Sequence, residues 1–163
     1  MDDEKKPKKT LTPSQALLKA QASCAYQERC QQEMRDKLYE WGVYSDAVEN
    51  IIATLITDNF LNEERFAKSY AGGKFRIKKW GKIKIKIELK KRKISEYCIK
   101  RAMEEISDKE YIATIQQLIT KKSKEMKGGK PQVRNYKIVQ YIMSKGFEGN
   151  LVWDALKEDM PFS

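Results

Sequence analysis

Lys82-Ile83-Lys84-Ile85-Lys86-Ile87-Glu88-Leu89 decides how this chain folds, because it can be read two ways. Apolar and charged residues alternate with period two, the pattern of a half-buried strand. Read as a helix, the same residues put Ile85 and Leu89 inward at i,i+4 and leave Ile83 and Ile87 at the flank of the core stripe. The pattern alone does not separate the two. A strand would lack a partner, since the chain offers no second strand candidate and a hairpin would need another molecule. What surrounds the segment demands a helix, and a helix is what we predict.

The demand comes from a repeat. Leu38, Trp41-Gly42-Val43, Ala47-Val48 and Ile51-Ile52 are matched by Leu89, Arg92-Lys93-Ile94, Cys98-Ile99 and Ala102-Met103. They are matched again by Ile142, Lys145-Gly146-Phe147, Leu151-Val152 and Ala155-Leu156. The anchors Val43, Ile94 and Phe147 lie 51 and 53 residues apart, and Met34, Ile85 and Ile138 keep the same register. Each unit reads as a helix, a tight corner, one apolar staple and a short amphipathic helix, preceded by a further helix. Such small units bury little alone and stack on their neighbours. The expected fold is all-α: three tandem three-helix repeats forming an elongated, curved, solenoid-like chain. The boundaries predicted are a disordered tail over 1–11 and repeats over 12–60, 61–107 and 108–163.

Local signals fill the frame. Thr12-Pro13-Ser14-Gln15 is a helix start, with Thr at N-cap, Pro at N1 and Gln at N3. Leu17, Leu18, Ala22 and Ala25 supply the expected stripe of that helix. A second helix runs Cys30 to Trp41 and stops at Gly42. Ser45 caps a third, with Ala47, Val48, Ile51, Ile52 and Leu55 inward. Asn62 caps the next helix, with Glu63 and Glu64 in its first turn, where the helix dipole favours acids. Phe66, Ala67 and Tyr70 face its core. Asp108 caps the helix whose stripe is Tyr111, Ile112, Ile115, Leu118 and Ile119, and Pro131 opens another at N1.

The chain carries 33 Lys+Arg against 23 Asp+Glu, a formal charge of +10. Residues 74 to 93 hold eleven of the basic side chains and the single acid Glu88, so the remainder balances at zero. A local excess makes a directed field that draws a polyanion or an acidic protein face to one place. The alternative is a solvated helix face. Phe75 and Trp80 lie inside this run with Tyr70 just before it. Tyr70 reads as core; Phe75 and Trp80 are open between core and stacking on unpaired bases.

Much chemistry is excluded. No His is present, so imidazole triads, shuttles and metal sites are absent. Cys24, Cys30 and Cys98 form no CxxC pair and read as small, partly buried hydrophobes, with Cys98 beside Lys100 and Arg101. The odd thiol count and the lack of a secretory signal predict a reduced cytoplasm. No apolar run approaches the roughly 18–20 residues of a membrane span. Gly72-Gly73-Lys74 and Gly128-Gly129-Lys130 lack GxxxxGK[ST] and read as helix corners and stops. The acid pairs Asp2-Asp3, Glu63-Glu64, Glu104-Glu105 and Glu158-Asp159 sit at helix ends or solvent faces, where neighbouring carboxylates diverge. No catalytic residue, metal site or cofactor is expected.

Asp58, Phe60-Leu61-Asn62-Glu63-Glu64-Arg65-Phe66-Ala67 and Tyr70 resemble the signature of the RecX regulatory proteins. Trp80-Gly81, Ile83, Glu88-Leu89 and Lys93-Ile94-Ser95 are similar to the stretch that follows it in that family, with Lys93 where the family carries a corner glycine. The resemblance covers about Ser14 to Glu158 and is strongest in the middle repeat. It implies tandem three-helix repeats, no enzymatic activity, and binding in the groove of the RecA recombinase filament on DNA, with reduced ATP hydrolysis and strand exchange. The residues expected to meet the partner or DNA are Lys74, Arg76, Lys78, Lys79, Trp80, Lys82, Lys84, Lys86, Lys90, Lys91, Arg92 and Lys93. Direct DNA contacts are expected to be weak or confined to the filament, with no membrane contact and a monomeric chain. The competing readings are a stand-alone DNA- or RNA-binding helical module and a metal-dependent nuclease built on the acid pairs.

Overall fold

The computed structural model describes residues 10–159, which form nine α-helices and no strand among them. In chain order these are α1 (Pro13–Tyr26), α2 (Gln31–Glu40), α3 (Ser45–Thr57), α4 (Glu63–Arg76), α5 (Lys82–Lys91), α6 (Glu96–Met103), α7 (Asp108–Glu125), α8 (Pro131–Ser144) and α9 (Gly149–Asp159). Of the tail predicted over 1–11, residues 1–9 lie outside the described residues. Leu11 is placed by a hydrogen bond from its N–H to the Trp41 carbonyl, at 3.0 Å.

The contested segment is the helix α5. Its Ile85 and Leu89 are fully buried. The repeat explains why: every apolar column of the pattern has the same burial in all three copies. Met34, Ile85 and Ile138 are buried, as are Leu38, Leu89 and Ile142, and the staples Val43, Ile94 and Phe147. The columns Val48/Ile99/Val152, Ile51/Ala102/Ala155 and Ile52/Met103/Leu156 are buried as well. Ala47, Cys98 and Leu151 are half-buried in each copy. A period-two reading cannot produce that agreement, because it would bury Ile83 and Ile87 with Ile85.

The three corners share a conformation. Gly42, Lys93 and Gly146 have φ of 85°, 58° and 98°, so each second helix ends in a left-handed residue that reverses the chain into its staple. Lys93 adopts this without the freedom of glycine, at a cost of about 1 kcal/mol.

Two compact units result: Met1–Phe66 with Arg92–Ile94, and Ala67–Lys91 with Ser95–Ser163. In the first, α1, α2 and α3 pack on one another. In the second, α7, α8 and α9 pack together and α5 packs on α6. Phe75 of α4 sits in the core of that second unit, its ring 5.8 Å from Tyr111, which lies 5.2 Å from Phe147.

Several sequence expectations are corrected. The inward stripe of α1 is Ala16, Ala20 and Cys24; Leu18 is 68% exposed and Ala22 and Ala25 face outward. Small side chains at i,i+4 let α1 approach α2 and α3 closely, where leucine would hold it off. The N-caps are Tyr44 and Ser107, one residue before Ser45 and Asp108; the Ser107 hydroxyl accepts from the Glu110 N–H at 3.1 Å. Thr114 replaces Ile112 in the buried stripe of α7, its hydroxyl satisfied by the Glu110 carbonyl. Gly72 and Gly73 lie inside α4 instead of at a corner. A methyl group on Gly72 would meet the Arg76 guanidinium at 2.7 Å, so the missing side chain makes room for an arginine one turn on. The Thr12–Gln15 capping box and the Asn62 cap form as expected, the latter through the Arg65 N–H at 2.8 Å.

Candidate interface on the middle repeat

The basic run folds into the end of α4, a five-residue link and the whole of α5. The link is set by Lys79, with φ of 57°, and by a hydrogen bond from the Trp80 N–H to the Lys74 carbonyl at 3.1 Å. These turn the Trp80 indole back over the end of α4. There the Lys74 ammonium stands 4.8 Å from the ring centroid and the Lys84 ammonium 4.3 Å from it. Each such cation–π contact is worth about 0.5–1 kcal/mol at an exposed site. Trp80, half-buried, is therefore a platform that holds two positive charges in place. Phe75 resolves toward the core.

The helix α5 divides the remaining lysines. With Ile85 and Leu89 inward, Lys82, Lys86 and Lys90 run at i,i+4 along one flank and Lys84 and Lys91 along the other. Between the two rows, on the side opposite the core, lie Ile83 and Ile87, 45% and 49% exposed. The expectation that these two would flank the core stripe is thus overturned. At 100° per residue they fall nearly half a turn from Leu89 and Ile85. The outward apolar ridge bounded by cationic rows is the feature that sequence reasoning missed. Its signal was available: alternation of apolar residues on a helix puts successive pairs on opposite faces.

Not every basic residue of the run is available to a partner. Arg76 forms a two-pronged ion pair with Glu110, at 3.0 and 3.3 Å. Arg92 pairs with Glu33 at 3.4 Å, and Lys91 with Glu88 at 3.1 Å. The Lys82 ammonium sits 4.8 Å from the Tyr111 ring. Lys78, Lys86, Lys90 and Lys93 are exposed, and Lys79 is half-buried in the link.

The second and third repeats meet backbone to backbone at the start of α5. The Gly81 N–H donates to the Lys145 carbonyl at 2.8 Å, and the Ile83 N–H to the Gly146 carbonyl at 3.0 Å. The end of α8 thereby satisfies donors that the start of α5 would leave unpaired. A methyl group on Gly81 would overlap the Gly146 carbonyl group, so both glycines are needed at the crossing. Beside it the Tyr111 hydroxyl accepts from the Lys82 N–H at 3.0 Å and donates to the Glu148 carboxylate. Burial, reinforced by Glu148, holds this phenol well above its usual ionisation range. Among the thiols, burial pushes Cys30 up to about 11, so it stays protonated and unreactive at neutral pH. Among the described residues no cluster of Cys, Asp and Glu could hold a metal ion, and no helix is long and apolar enough to cross a membrane.

An all-helical chain of three equivalent three-helix units, with its charge gathered on the middle one, matches one class of protein. Models of the RecX first, second and third three-helix domains match residues 16–55, 62–103 and 108–156. The chain belongs to the RecX family. It is 27% identical to the regulatory protein RecX of Lactobacillus johnsonii, over 96% of this chain and 59% of that one. It is 26% identical to that of Prosthecochloris aestuarii, over 88% of this chain and 92% of the other. With RecX of Clostridium perfringens it shares 31% identity over 74% of its own length and 57% of the relative's. The chain thus spans little more than half the length of several curated relatives. The crystal structure of RecX from Lactobacillus salivarius superposes with a TM-score of 0.81 at 25% identity, covering 90% of this chain and 95% of that one. Each of these curated relatives is named a regulatory protein.

Proposed function

We propose that this chain regulates a RecA recombinase, seating α5 on the filament that the recombinase forms on DNA and restraining its ATP hydrolysis and strand exchange. The observation that carries the reading is the outer face of α5. Ile83 and Ile87 expose apolar surface that a bare polyanion would leave wet, whereas a protein groove covers it. The lysine rows on both sides require that groove to have an acidic rim, or to run beside DNA phosphates. A nucleoprotein filament presents both together. Repeats over 12–60, 61–107 and 108–163 act as one monomeric binder in the cytoplasm, with weak affinity for bare DNA. The stand-alone nucleic-acid module requires the opposite ranking of affinities.

The test is titration into the ATPase reaction of RecA on single-stranded DNA, with a bare-DNA binding control. The wild type should inhibit at concentrations far below those that bind bare DNA. Ile83→Asp/Ile87→Asp, and separately Lys82, Lys84, Lys86 and Lys90→Glu, should each raise the inhibitory concentration at least about tenfold, the scale of losing a central anchor. Helical circular dichroism should stay unchanged. Full inhibition by both variants removes α5 from the mechanism, and tight binding to bare DNA without inhibition selects the stand-alone module.

A further inference from the structure

The zero charge balance outside residues 74–93 conceals a second local excess. Residues 121–145 contain eight basic side chains and one acid, Glu125. They form the end of α7, the Gly128-Gly129 link and α8. Lys137 and Tyr141 of α8 and Lys145, its C-cap, fall at i, i+4 and i+8, on one face. The Lys145 ammonium stands 6.0 Å from the Tyr141 ring centroid, and Lys122 of α7 brings a second ammonium to 4.3 Å. Glu125 reaches Lys122 at only 3.5 Å. This repeats the arrangement at Trp80, where Lys74 and Lys84 occupy the indole.

The two arrangements adjoin. Gly81, next to Trp80, donates its N–H to the carbonyl of Lys145, and a methyl group on Gly146 would meet the Lys84 backbone nitrogen at 2.7 Å. All of these residues belong to the same compact unit.

We propose that Lys122 and Lys145, steadied by Tyr141, together with the exposed Lys137 one turn before that ring, form a second phosphate-binding station that continues the one at Trp80, so that a single nucleic-acid strand runs from the second repeat onto the third. Several observations favour a strand over an acidic protein face. The charges come in pairs on two successive aromatic platforms, which suits a ligand whose own charges recur at fixed intervals. The rings already carry ammonium groups, which suits contacts to phosphates more than stacking of bases. Held ammonium groups also lose less freedom on binding than free lysines do. The inference rests on the filament reading for its biological setting. It is judged on a bare strand, where that reading plays no part.

The test uses the full chain with a fluorescent thirty-residue oligothymidylate, measuring affinity by anisotropy across a series of sodium chloride concentrations. Each phosphate neutralised on a single strand contributes about −0.7 to the slope of log affinity against log salt. Lys122→Gln/Lys137→Gln/Lys145→Gln should flatten the slope by about 2 and weaken low-salt binding at least tenfold. Lys74→Gln/Lys84→Gln should flatten it by about 1.4. A peptide nucleic acid of the same sequence, which lacks phosphates, should not bind. The station is overturned if the triple variant keeps the wild-type slope, if the uncharged analogue binds equally well, or if no salt-dependent binding to the oligonucleotide is found at low salt. Any of these leaves the ATPase result on α5 standing, and a failed ATPase result leaves the slope measurement standing.

Discussion

Ile85 and Leu89 on α5 occupy the same columns as Ile138 and Ile142 on α8, and all four are buried. Outward, the two helices part. On α5 the side away from the core carries Ile83 and Ile87 between lysine rows, and on α8 one flank carries Lys137, Tyr141 and Lys145. The corners differ as well: Gly146 follows α8 and Lys93 follows α5, both left-handed. The comparison teaches that the repeat constrains the inner face and the corner's backbone angle, and leaves the outer face free to carry function.

The comparison breaks most easily where the two repeats cross. Gly81→Val would force a branched side chain into the backbone at Gly146 and Phe147. It should destabilise the unit by about 3 kcal/mol or more, the range of mutations that no side-chain rearrangement relieves. Urea unfolding reads this directly, and a loss below about 1 kcal/mol would show that the crossing opens at little cost.

Next in size is the contrast between the faces of α5. Leu89→Ala should cost about 2–5 kcal/mol through the lost contacts and the cavity left behind. Ile87→Ala, one turn from Ile83 on the exposed ridge, should cost about 0.5 kcal/mol or less. Equal costs would mean that the outer ridge is covered within the chain itself.

The smallest effect concerns the corner. Lys93→Gly should stabilise the protein by about 1 kcal/mol, because glycine takes the left-handed conformation without the Cβ penalty. Thermal unfolding measures it. Lys93 is exposed and carries part of the charge of the middle repeat, so on the proposed filament reading the same variant should bind slightly less tightly. A stabilised variant with weakened binding would show strain retained for charge.

The repeat itself was legible in the residues, since fixed spacing of seven apolar columns requires no knowledge of packing. It was enough to overrule the period-two pattern of residues 82–89 and to place Ile85 and Leu89 in the core. The Thr12–Gln15 capping box, the Asn62 cap and the Pro131 start were legible for the same reason, since their partners lie within four residues, while the caps expected at Ser45 and Asp108 fall one residue earlier. The stripe of α1 was not. Whether alanine or leucine faces inward depends on how closely α2 and α3 approach, and Ala16, Ala20 and Cys24 are selected by that distance. The availability of each charge was hidden as well. Arg76 and Glu110 stand 34 positions apart, so no local window reveals that they neutralise each other.

By itself, then, the amino-acid order determined the helical class, the threefold internal repetition and the concentration of charge, because these follow from periodicity and composition along the chain; the family was legible only through the resemblance of the residues around Asp58 to Tyr70 and Trp80 to Ser95. Tertiary structure alone decided which lysines pair with acids, which stand on Trp80 and Tyr141, and that the second and third repeats join through Gly81 and Gly146. The reason is physical. Hydrophobic periodicity acts between near neighbours, whereas ion pairs, cation–π contacts and backbone crossings depend on distances set only when separate helices pack.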